Sequence, residues 1–168
     1  MDDSLLGLTD TFRRLGANDP EGWARSQINE GIPQLHRFLF LKAAWSHVVE
    51  DDDTSWIEQA LAPSRRNDDP GASLGPALRR LLDAGARPED ISEVVRVTQW
   101  QLLFEMCYQL DDSGVIDTLS REGEMPEIAW GLFAIDEDGN PLDAIDALHE
   151  SVLAIDPTGR EMRPREAP

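Results

Sequence analysis

The chain has a single cysteine, Cys107, so it cannot close a disulfide within itself. That thiol falls in the apolar stretch Leu102 to Leu110, and no charged partner stands at local spacing to ionise it. A buried, reduced and inert side chain is expected there, not a nucleophile. Lysine is almost missing as well, with Lys42 standing beside fourteen arginines, a bias that reads as coding composition more than as a phosphate-binding device. Bases are scarce overall: 15 against 33 acids, for a net charge of −18. Affinity for nucleic acid draws mainly on Lys and Arg neutralising phosphates, so DNA, RNA and anionic membranes are poor direct partners. No apolar run approaches the roughly 18 residues of a membrane span. Met1-Asp2-Asp3-Ser4 places acids where a secretory signal carries positive charge. A soluble, cytoplasmic protein is the expectation.

What is present argues for folding. The 168 residues are 40% hydrophobic, with five Trp and five Phe, enough apolar area to offset the entropy of ordering one ordinary domain without a metal. Ser4 caps a helical pattern carried by Leu5, Leu8, Phe12 and Leu15, and Gly16 is placed to end it. Asp19-Pro20-Glu21 supplies a cap, a first-turn proline and a first-turn acid for a second helix, closed by Gly31 and Pro33. From Pro33 to Val49 apolar residues cover a wide arc, which predicts a largely buried helix ending in the acids Glu50 to Asp53. Asp53 or Thr54 then caps a short helix through Trp56, Ile57 and Leu61. Residues 63–76 have the composition of a mobile loop.

Pro76 to Ala84 predicts a helix with Gly85 as its cap, and Pro88-Glu89-Asp90 opens the longest helical pattern, to about Leu110. The second half of that pattern is apolar nearly all round, which predicts a central core helix. Beyond it, Trp130 to Ile135 reads as a short strand, Asp138-Gly139-Asn140-Pro141 is turn chemistry, and a small hairpin follows. Leu142, Ile145, Leu148, Val152 and Ile155 fit either a helix or mixed extended structure.

The motifs that invite chemistry fail on spacing. Asp136, Asp138, Asn140 and Asp143 crowd oxygen ligands around a glycine, but a calcium loop opening at Asp136 needs Gly where Pro141 stands and Glu where Ala147 stands. His149-Glu150 lacks the second histidine of a zinc-protease helix, since position 153 is leucine. His36 and His47 share a helical face but lie about 16 Å apart, too far for one ion. Leu78 to Val97 has the outline of a helix-turn-helix, yet Glu89, Asp90 and Glu93 occupy the turns that would meet phosphate. No catalytic residue, cofactor or metal is therefore expected.

The acids themselves remain. Thirteen of them with only one Arg lie between Asp111 and Asp156. A solvated acidic face that keeps the chain soluble is the plainer account of this, and an interface for a basic partner is the functional one. In that reading Asp136, Glu137, Asp138, Asp143 and Asp146 steer a positive surface, and Trp130 or Leu142 supplies contact area. The expected fold is mainly α, a single-domain helical bundle with a small C-terminal β-hairpin. One acidic domain would cover residues 1–159, its acidic segment 111–156, with a flexible tail over 160–168. The expected function is that of an acidic bacterial binding or inhibitor protein, immunity- or antitoxin-like, neutralising a basic protein partner such as a toxin. Three alternatives compete: a DNA-mimic inhibitor of a DNA-binding enzyme, an enzyme with a cryptic carboxylate site, and a subunit that self-associates through exposed tryptophan.

Overall fold

A computed structural model of the chain describes residues 3–62, 69–111 and 130–164. Its described residues hold seven α-helices and one two-stranded antiparallel sheet near the C-terminus, so the mainly helical class with a terminal hairpin stands. Helices α1 (Asp3–Arg14), α2 (Pro20–Glu30) and α3 (Gln34–Trp45) follow one another closely. The punctuation between them is local and chemical. Gly16 takes a positive φ of 82° after α1. Asp19 Oδ1 accepts the Gly22 N–H at 2.9 Å, capping α2, and Gly31 closes it in the left-handed region. Pro33 cannot cap α3 with its side chain, so Gln27 of α2 reaches across and accepts the Leu35 N–H at 2.9 Å.

The chain divides into two compact units, residues 1–46 with 102–168, and residues 47–101. In the first, Phe12, Trp23 and Phe38 join α1, α2 and α3 through one stacked and two edge-on ring contacts at 5.4 to 6.0 Å. Leu41 and Trp45 extend that core along α3, and the Trp45 indole N–H donates to the Val152 carbonyl at 2.8 Å. Strands β1 (Phe133–Ile135) and β2 (Pro141–Ala144), a short helix α7 (Leu148–Ser151) and a 3-10 turn (Leu153–Ile155) complete this unit. They contribute Ala134, Ile145, Leu148, Val152 and Ile155 to the interior. Residues 157–162 form bends and turns around Asp156, which is fully buried and whose carboxylate accepts the Met162 N–H at 2.9 Å.

The second unit contains α4 (Ser55–Leu61), α5 (Leu74–Asp83) and α6 (Pro88–Asp111) as far as Gln101. Ile57, Leu78 and Ile91 form its core, with Trp56, Leu61 and Leu82 packed against them. Asp53 Oδ1 accepts the Ser55 N–H at 2.8 Å, while Thr54 makes no side-chain cap. Three polar ties hold the framework: Trp56 Nε1 donates to Ser92 Oγ, Arg96 to the Val49 carbonyl, and the Val49 N–H to Gln99 Oε1, at 2.7 to 2.9 Å.

Two expectations are corrected. Helix α3 is not largely buried: Phe38, Leu41 and Trp45 face inward, but Leu39 is 43% exposed and His36, Lys42 and Ala43 are exposed too. The second half of α6 is likewise not enclosed all round, because Leu102, Met106 and Tyr108 are 63%, 49% and 46% exposed and only Cys107 among its apolar residues is fully buried. Hydrophobic composition set how much of each helix can be buried; the number of neighbouring elements decided how much is. Of the expected loop over 63–76, residues 63–68 lie outside the described residues, 69–73 form turns, and Leu74 already opens α5.

Candidate functional site

The hairpin brings the predicted interface residues together and divides them by task. Asp136 is engaged in its own turn. Its carboxylate accepts the backbone N–H groups of Asp138 and Asn140 and the Asn140 side-chain amide at 2.8 to 2.9 Å, while its backbone N–H donates to the Asn140 carbonyl at 3.0 Å. Gly139, with φ of 84°, takes the conformation the turn requires. The Asn140 donors hold the Asp136 carboxyl below its ordinary value, first through the side-chain amide and then through the backbone N–H. Asp146 is also occupied, since its carboxylate meets the guanidinium of Arg37 at 3.0 Å and Arg37 is 5% exposed. Losing that carboxylate would leave a buried cation without its partner.

Glu137, Asp138 and Asp143 remain. All three side chains are exposed and have no partner among the described residues. Around them Phe133, Ile135 and Leu142 are 48%, 65% and 54% exposed, so the same hairpin presents carboxylates and apolar side chains together. Trp130 is 40% exposed, and its indole N–H donates to the Gln109 carbonyl at 2.7 Å. With Met106, Gln109 and Leu110 it lines an open, mainly apolar hollow of about 330 Å³. Sequence reasoning named Trp130 and Leu142 for contact area but passed over Phe133 and Ile135, whose alternation with buried Ala134 is the signal of a half-exposed strand.

The two ends of the acidic segment belong to the interior. Asp156 accepts the Thr158 N–H and hydroxyl at 3.1 and 2.7 Å in addition to Met162. Asp111, with a side chain 7% exposed, accepts the His149 N–H at 3.2 Å and lies 2.6 Å from His149 Nδ1. This pair went unnoticed in the sequence, where 38 residues separate its members and no local pattern marks it. Its backbone bond explains its place: α7 begins after Ala147, in the left-handed region with no side-chain cap, and Asp111 supplies the missing acceptor from α6. The ring is packed edge-on to Tyr108 and Phe104, at 5.1 and 6.2 Å.

Such a carboxylate–imidazole pair orients a general base when a nucleophile adjoins it. The thiol nearest in sequence is Cys107, which burial and then the charge of Asp111 push up to about 11, so it stays protonated at neutral pH. The expected burial of this thiol is what the structure shows. Among the described residues no group of three or more His, Cys, Asp or Glu is placed to hold a metal ion, and no helix is long and apolar enough to cross a membrane. No protein-family model, no curated protein and no solved structure matches this chain.

Proposed function

We propose that this chain is an acidic protein-binding module of the inhibitor type, immunity- or antitoxin-like, that applies its C-terminal hairpin to a basic protein in the cytoplasm. Three apolar and three acidic side chains sharing one small hairpin carry this conclusion. Exposed apolar residues on a strand favour a covering partner, and unpaired carboxylates beside them select that partner by charge and speed its arrival. A DNA mimic needs carboxylates without apolar interruption, so Phe133, Ile135 and Leu142 favour a protein surface over that alternative. A carboxylate enzyme needs two acids converging on a concavity; the hollow beside Trp130 is lined by Met106, Gln109 and Leu110 and lends that alternative no support.

The test is affinity capture from a native lysate at low and high salt, with the captured protein identified. One variant combines Glu137→Gln, Asp138→Asn and Asp143→Asn, which leaves Asp136 in its turn and Asp146 on Arg37. A charge-matched control combines Glu58→Gln, Asp83→Asn and Glu93→Gln, exposed acids of the other unit. A basic protein that elutes with salt, is lost in the hairpin variant and is kept by the control supports the proposal. Capture unaffected by salt and by the hairpin variant removes it.

A further inference from the structure

The ladder of the hairpin shows which backbone groups its strands leave over. Ile145 N–H donates to the Leu132 carbonyl at 2.8 Å and Asp136 N–H to the Asn140 carbonyl at 3.0 Å, while Phe133 stands opposite Ala144 and Ile135 opposite Pro141. Antiparallel neighbours alternate between residues that bond to the facing strand and residues whose N–H and C=O point the other way. Leu132 and Asp136 face β2, so Phe133 and Ile135 turn their backbone groups to the opposite edge of β1, which no strand among the described residues covers.

The two free edges differ. On β2, Pro141 has no N–H to offer and the register is irregular beside it, two devices that blunt an edge. On β1, Phe-Ala-Ile carries neither a charge nor a proline, and its two outward side chains are 48% and 65% exposed. Among the described residues the sheet has these two strands and no other. A second copy is a poor occupant, because two chains of net charge −18 repel one another.

We propose that the free edge of β1 accepts an added strand from the basic partner. The segment it fits is extended, with two apolar residues spaced two apart to lie along Phe133 and Ile135, and Arg or Lys where it passes Glu137 and Asp138. Main-chain bonds to Phe133 and Ile135 supply the pairing, and the turn supplies direction. This inference rests on the hairpin being the binding surface.

It is tested with a synthetic peptide of alternating threonine and valine followed by Lys-Arg-Lys, and with the same peptide N-methylated along one edge at a time. Binding is followed by amide shifts and hydrogen exchange of the full chain. Strand addition predicts that the unmodified peptide slows exchange at the Phe133 and Ile135 amides, and that N-methylation of one of its edges weakens binding at least about tenfold. It also predicts a comparable loss for Ile135→Pro, with protection of the Ile145 amide reporting that the hairpin is intact. Binding that ignores N-methylation but is lost with Glu137→Gln, Asp138→Asn and Asp143→Asn overturns strand addition and leaves the charged surface standing. Binding that ignores both, or no binding at millimolar peptide, overturns the inference together with its premise.

Discussion

At Asp136 a single carboxylate closes a turn by accepting from two backbone N–H groups and one side-chain amide. The same bonds hold its carboxyl below the ordinary aspartate value of 3.8, the Asn140 side chain contributing most. Because the folded value is lower than the unfolded one, this support is present above about pH 3.8 and is lost as the pH falls through the lower folded value. The Asp138 and Asn140 amides, followed by NMR during acid titration, should therefore shift with a midpoint below 3.8; a midpoint at or above that value would show that Asp136 does not hold the turn. The Asx chemistry was legible in the sequence as Asp-Glu-Asp-Gly-Asn-Pro, since it acts over four residues. What was not legible was that Asp136 spends its acceptors inward while Glu137 and Asp138 do not, and that Asp146 is drawn to a buried arginine 109 positions away.

Among the elements, most start and stop signals whose cap lies within a few residues were read correctly, Asp19 on α2, Gly31 after it, Asp53 before α4 and Gly85 after α5, but Ser4, expected to cap α1, lies inside that helix, which opens by Asp3. Caps supplied from a distance were invisible, such as Gln27 for α3 and Asp111 for α7. Glycines show the same division between local preference and packing. Gly7 lies within α1 with nothing near the position of a Cβ, whereas a Cβ on Gly75 at the start of α5 would stand 2.6 Å from the Ala60 carbonyl oxygen of α4. Helix propensity alone favours alanine at both, by about 0.5–1 kcal/mol. Gly7→Ala should follow propensity and stabilise. Gly75→Ala should reverse sign and cost about 1–3 kcal/mol, because backbone must move. Urea unfolding of the two variants decides this, and equal effects of one sign would contradict the contact between α4 and α5.

For the whole molecule, 33 acids against 15 bases make the folded chain repel itself, most strongly when salt is low and screening lengths are long. Thermal midpoint should rise by a few degrees between about 10 mM and 150 mM sodium chloride, where the screening length falls from about 30 Å to about 8 Å. A fall over that range would mean that ion pairs such as Arg37–Asp146 outweigh the repulsion. The same excess of acid favours a basic partner, and the division into two units confines the proposed surface to the one that holds residues 1–46 and 102–168.

By itself the sequence determined the helical class, the hairpin, the ends of most helices and the burial of Cys107, because each follows from propensity, capping and periodicity acting over one or two turns of chain. Only the tertiary structure decided which acids are free. Asp111 and Asp156 close the acidic segment at either end, yet both are inside, bonded to groups that folding brings to them. Glu137, Asp138 and Asp143 stay in water because none of the described residues delivers a donor to them, and Phe133 and Ile135 stay exposed because the described residues supply no third strand. Charge and hydrophobicity are properties of a residue; whether they are satisfied within the chain depends on contacts between residues far apart in it.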